Sequence, residues 1–132
     1  MNEQYIDALK ALAEPHRLRL FWLLIHVDQC ITLAEAMDVT GDTQYNASRN
    51  LKILYKAGLL TQEKRGKWVY YRLASQEHPQ WVFLVDSVRA LPAADFAEVT
   101  SRCRQRLAMR KNNECVVGPN SDDWLAMLSN TF

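Results

Sequence analysis

Apolar residues recur at helical spacing from the start of the chain. Tyr5, Ile6, Leu9 and Leu12 fall on one stripe and predict a first helix over about Glu3–Ala13. Pro15 then stands where a helix can begin, because its missing N–H would be unpaired there anyway. The run from it, with Leu18, Leu20, Phe21, Leu23, Leu24 and Val27, is apolar on most sides and predicts a central second helix. Thr32 and Glu35 have the spacing of a capping box, so a short helix over Leu33–Met37 follows. Val39-Thr40-Gly41-Asp42 reads as a turn. The next helix, about Thr43–Ala57, turns Ala47, Leu51 and Leu54 inward, and Gly58 is placed to end it.

The period then changes. Leu59–Lys64 and the aromatic, β-branched Lys67–Leu73 flank a tight Arg65-Gly66 turn, which predicts a two-stranded hairpin. In that hairpin Trp68, Tyr70 and Tyr71 are expected to pack as strand residues rather than stack on bases. A helix from about Gln80 carries Trp81, Leu84, Val85 and Val88 until Pro92 interrupts it. Helix resumes over Ala93–Arg110, with Phe96, Val99, Cys103 and Leu107 on one stripe. Asn112-Asn113 and Gly118–Ser121 punctuate a tail in which Asp122 can cap a last turn bearing Trp124. The expected fold is therefore mainly α with one two-stranded β-hairpin. Its limits are 1–111 for a winged helix-turn-helix domain and 112–132 for a C-terminal tail. The apolar run Leu18–Val27 is broken by Arg19 and His26, so no membrane span is expected. Met1–Gln4 lacks the basic start of a secretion signal, and the expected compartment is the cytoplasm.

The net charge of +1 over 132 residues hides an asymmetry. Between Thr43 and Leu73 seven cations (Arg49, Lys52, Lys56, Lys64, Arg65, Lys67 and Arg72) face one acid, Glu63, which leaves +6. Such a segment is what a nucleic-acid face on an otherwise neutral protein looks like. The short turn at Met37–Thr43 has helix-turn-helix length, and in such a unit the second helix enters the major groove. Its leading residues here are Gln44, Tyr45, Asn46, Ser48, Arg49 and Asn50, with Lys52 following. Gln and Asn can pair with adenine, and Arg with guanine. Lys64, Arg65 and Lys67 surround the hairpin turn, where a wing meets phosphates. No glycine-rich phosphate loop, nucleophile motif or hydrolase spacing is present, so an enzyme is not expected and no catalytic cofactor is implied.

The segment Thr43–Leu60 resembles the recognition helix of ArsR/SmtB-type repressors, which carries a Ser-Arg-x-Leu-x-x-Leu core ending in Ala-Gly-Leu. Lys64–Leu73 resembles their wing, Leu33–Ala36 the preceding helix and Ala11–Leu20 the first helix junction. The resemblance covers Tyr5 to about Arg110. It implies a homodimer paired through the first and last helices, here Tyr5, Leu9, Leu12, Trp81, Leu84, Phe96 and Val99. It also implies repression at double-stranded operator DNA until an effector binds.

Family effector sites vary. Many arsenic-responsive members carry Cys-Val-Cys before the short helix, where this chain has Cys30-Ile31-Thr32. The last long helix offers Asp86, Asp95 and Glu98 but no His, which disfavours a zinc site of the family type. The thiols Cys103 and Cys115, with Cys30 as a possible third, remain as soft ligands for arsenite, antimonite or a soft metal ion. Arg102, Arg104 and Arg106 are expected to favour the thiolate of Cys103, and Cys115 is expected to lie in a flexible polar tail. Redox or persulfide sensing by the same cysteines is the rival reading. A winged-helix protein-interaction module without DNA binding is a further one.

Overall fold

Six consecutive residues, Leu20 to Ile25, are buried on every side of one helix, and the rest of the fold is arranged around it. The computed structural model describes residues 3–75 and 77–131. Met1, Asn2, Gln76 and Phe132 lie outside the described residues, as do the outermost ends of the limits expected for domain and tail.

Helix α1 spans Glu3–Leu12 and α2 spans Pro15–Val27. Glu14 caps α2 by accepting from the Arg17 amide at 3.0 Å, and Pro15 fills the first turn. Helices α3 (Leu33–Thr40) and α4 (Gln44–Lys56) form the helix-turn-helix. The capping box is complete: the Glu35 amide donates to Thr32 Oγ1 at 3.2 Å, and the Thr32 amide donates to Glu35 Oε1 at 3.0 Å. Gly41 ends α3 at φ +77°, a left-handed position that suits glycine.

Three strands build the wing, one more than the sequence predicted. Strand β1 (Ile31–Thr32) pairs antiparallel with β3 (Trp68–Leu73), and β3 pairs with β2 (Leu60–Arg65), giving the order β1-β3-β2. Thr32 lies opposite Tyr70, and Arg65 lies opposite Trp68 beside the turn. As expected, Tyr70 and Tyr71 are buried strand residues.

Helix α5 (Pro79–Arg89) packs on α2. The predicted helix over Ala93–Arg110 is divided and shorter: a 3-10 turn over Ala93–Phe96 leads into α6, Ala97–Leu107. Phe96 stacks on Trp22 with ring centroids 4.2 Å apart. Asn112 and Asn113 then take left-handed backbone angles and reverse the chain, and Lys111 bridges Glu114. The segment that follows runs back toward α3 and β3. Helix α7 spans Asp122–Thr131 with Trp124 buried, and its first turn is capped by Ser121 rather than Asp122. Among the described residues no helix is long and apolar enough to cross a membrane.

Candidate nucleic-acid interface and thiol cluster

Helix α4 turns Ala47, Asn50, Leu51 and Leu54 inward and leaves the opposite face open. Gln44, Tyr45, Asn46, Arg49 and Lys52 are exposed and Ser48 is half-buried. Tyr45 keeps 74% of its surface in solvent at the second position of the helix. Thr43 caps the helix, accepting from the Asn46 amide at 3.2 Å. This helix N-terminus lies among exposed residues, and such an end favours a phosphate oxygen. Asn50 departs from expectation. It is buried, because positions 47, 50, 51 and 54 share the inner stripe, and that spacing was readable in the sequence.

The wing tip divides in two. Lys64 and Lys67 are exposed. Arg65 is not a free cation aimed outward: its guanidinium folds back over the Tyr70 ring at 3.9 Å. Its Nη2 donates to Cys30 Sγ at 2.9 Å and its Nη1 to Glu114 Oε1 at 3.2 Å. The Tyr70 hydroxyl donates to Glu114 Oε2 and accepts from the Cys115 amide, both at 2.9 Å. Burial pushes the Tyr70 phenol above its ordinary range, and the Glu114 carboxylate adds to this. The phenol therefore stays protonated and donates a hydrogen bond to Glu114.

Behind this cluster two carboxylates on α3 face α6 and the segment after it. Arg110 grips both Glu35 oxygens with its Nε and Nη2, each at 2.7 Å, and Nη2 also donates to the Cys30 carbonyl at 2.6 Å. Arg106 Nε donates to Asp38 Oδ2 at 2.7 Å, and its Nη2 to the Val117 carbonyl at 2.6 Å. The second Asp38 oxygen accepts from the Asn120 amide at 2.8 Å. All four side chains are almost wholly buried. They fix the returning segment against the helix that precedes α4.

The three thiols are free and differently placed. Cys30 is half-buried at the edge of β1. Cys115 is buried, contrary to the expected flexible tail, because the reversal at Asn112-Asn113 lays it against β1 and β3. Thr32 Oγ1 donates to its sulfur at 3.5 Å, and the thiol donates to the Val117 carbonyl at 3.6 Å. Cys103 is also buried. Its thiol is pushed up to about 12, by burial first and by Glu35 second, with Arg110 opposing. This reverses the expectation that neighbouring arginines favour its thiolate: Arg106 is committed to Asp38 and Arg102 to Glu98. Since the folded value lies above the unfolded one, the stability from burying the neutral thiol is complete below about pH 8.5. It is lost only as pH rises toward about 12. Iodoacetamide at pH 8 should accordingly modify Cys30 first and reach Cys103 only after denaturation. Peptide mass mapping reads this order, and early labelling of Cys103 would contradict its placement. Among the described residues no three His, Cys, Asp or Glu side chains cluster to hold a metal ion. Cys30, Cys103 and Cys115 thus do not form a ready-made three-sulfur cradle, because Cys103 faces the α3–α6 seam.

The residues expected at a dimer contact also separate. Leu12, Leu84 and Val99 are consumed by the chain's own core, and Phe96 by Trp22. Tyr5 and Trp81 meet edge to face at 5.7 Å, joining α1 to α5, and beside them Leu9, Val82 and Phe83 are exposed. Phe83 was not singled out in the sequence, although it stands outside the Trp81–Leu84–Val88 stripe.

A family model described as a helix-turn-helix domain matches residues 12–63. The arsenic resistance transcriptional regulator ArsR2 of Pseudomonas putida is 36% identical over 76 residues, 58% of this chain and 64% of that protein. This chain therefore spans a little under two thirds of that relative's length. The arsenical resistance operon repressor of Bacillus subtilis is 38% identical over 76 residues, 56% of this chain and 70% of the repressor. Among solved structures, the homodimeric winged helix-turn-helix DNA-binding domain Mb0332 of Mycobacterium bovis matches with a TM-score of 0.57 at 29% identity. That match covers 70% of this chain and 80% of the other.

Proposed function

The chain belongs to the ArsR/SmtB family of winged-helix regulators, and from that premise we propose that it is a dimeric DNA-binding repressor released by a thiophilic effector. The observation that carries the DNA reading is the face of α4. Gln44, Asn46, Arg49 and Lys52 are exposed together, as are Lys64 and Lys67 of the wing. Tyr45 shares that face and would bury its ring against base edges. A gel shift with the DNA upstream of the chain's own coding sequence tests this. Binding that weakens steeply with salt supports it, and undetectable or salt-independent binding favours a protein-interaction module instead.

The dimer would form on the exposed α1 and α5 face, through Leu9, Val82 and Phe83 with Tyr5 and Trp81. Each subunit then presents one α4 to successive major grooves roughly 34 Å apart. Sedimentation of the free protein as a single subunit would oppose this arrangement.

For the effector, the favoured sulfurs are Cys30 and Cys115. Many arsenic-responsive relatives carry a second cysteine where this chain has Thr32. Here a sulfur reaches that place from elsewhere, since Cys115 Sγ lies 3.5 Å from the Thr32 hydroxyl. Arsenite bound by two thiols forms two As–S bonds, and the two thiol protons leave with hydroxides as two waters. Cys103 stays in the core as a neutral thiol. Arsenite should release the wild-type protein from DNA, whereas Cys30→Ser and Cys115→Ser should keep their DNA affinity and lose release. Cys103→Ser should still respond. Undiminished release in the double Cys30/Cys115 variant would show that other groups carry the response.

A further inference from the structure

The burial pattern of β2 is uneven. Leu60 anchors its start, the next four residues are exposed, and only Arg65 turns partly inward at the tip. The side chain that holds this end of the wing is therefore a cation, and its holds are the Cys30 sulfur, the Glu114 carboxylate and the Tyr70 ring. We propose that Arg65 ties the wing to the thiol pair, so that ligation of Cys30 and Cys115 frees the hairpin tip. This deepens the effector reading above and rests on it for the identity of the two sulfurs.

The coupling follows from which contacts ligation must break. Cys30 Sγ accepts from Arg65 Nη2 at 2.9 Å. A bond from that sulfur to a ligand atom commits an electron pair and places new substituents where the guanidinium lies. A ligand shared with Cys30 competes for the Cys115 sulfur that now accepts from the Thr32 hydroxyl, and draws that residue toward β1's edge. Its backbone amide is held by the Tyr70 hydroxyl, and its neighbour Glu114 holds both Arg65 and that same hydroxyl. Movement of Cys115 therefore strains the second hold on Arg65 while ligation of Cys30 removes the first. What remains is the Tyr70 ring and an exposed Glu63 carboxylate at 3.9 Å, a weak partner at the surface. Lys64 and Lys67 flank Arg65, so their positions loosen with it. Thiol occupancy thereby reaches a DNA-contacting surface within one subunit, without a change at the dimer face.

Phenylarsine oxide is a suitable probe. Its arsenic forms two As–S bonds with a thiol pair, and the two thiol protons leave with its oxygen as one water, with no change of oxidation state. Hydrogen exchange of the full chain, read by mass spectrometry with and without one equivalent of the probe, should show amides in 62–69 exchanging at least several-fold faster when it is bound. Arg65→Met should show that fast exchange without the probe and no further change with it. Lys67→Met should keep the wild-type response. Glu114→Gln, which weakens the same hold from the other side, should fall between. A probe found bridging Cys30 and Cys115 over a wing whose exchange is unchanged would overturn the coupling and leave the thiol pair standing. Failure of the probe to bridge those sulfurs would overturn both. A wing that loosens as described in a protein that binds no duplex would support the coupling and sink the DNA reading.

Discussion

Asp38→Ala will be among the most damaging single substitutions in this chain, lowering stability by about 3–5 kcal/mol. The carboxylate is fully buried, and its Arg106 partner is 1% exposed. Removing one partner leaves an uncompensated guanidinium in a site without solvent, which is the costly way to break a buried pair. The Asn120 amide also loses its acceptor, so the returning segment loosens together with the α3–α6 seam. Thermal melting should shift downward by roughly ten degrees or more for a domain of this size. The double variant Asp38→Leu with Arg106→Met should recover much of that loss, because two apolar side chains can replace a buried ion pair at little cost. A single variant that melts within a degree of wild type would mean that the pair is hydrated and open. Because α3 carries Asp38 and leads directly into α4, the single variant should also weaken DNA binding in proportion to its unfolding, with no change in preferred sequence.

The contrast between what was and was not readable lies in the reach of each interaction. The capping box at Thr32 and Glu35 was legible because both partners are three residues apart. The second role of Glu35 was not, since Arg110 stands 75 residues away and nothing local marks it. Strand β1 escaped because two residues carry no period, and its existence depends on Tyr70 and Tyr71 of β3. The tail's burial is set at long range in the same way. Asn112-Asn113 read as punctuation, yet two left-handed residues in succession make a reversal, and Cys115 is buried by partners that only the reversal supplies. Arg65 looked like a phosphate contact from its place beside the turn, and only its long-range acceptors Cys30 and Glu114 draw it inward. By contrast the open face of α4 was legible in nearly every residue, because helical spacing alone decides it. Asn50 is the exception, and the same spacing would have placed it inside.

Arg49→Ala should produce the largest loss of sequence discrimination. The side chain is exposed in the first half of α4, nearly two turns beyond the cap and clear of the inner stripe formed by Ala47, Asn50, Leu51 and Leu54. A bidentate arginine contact to guanine is worth about 1–3 kcal/mol of discrimination, and a twofold assembly makes it twice, so about 2–6 kcal/mol is at stake on the preferred duplex. That corresponds to a loss on the order of thirtyfold to ten-thousandfold there, with much less change on random DNA. Lys52→Ala, further along the same face, should behave differently. It should weaken binding to all sequences alike and reduce the salt slope by about one per subunit, as loss of a phosphate contact does. Asn50→Ala should disturb stability more than discrimination, because Asn50 lies inside. Titrating the three variants against preferred and random duplexes at several salt concentrations separates these outcomes. If Arg49→Ala lowered affinity equally for both duplexes and flattened the salt slope, Arg49 would be a phosphate contact, and base reading would rest on Gln44, Tyr45 and Asn46.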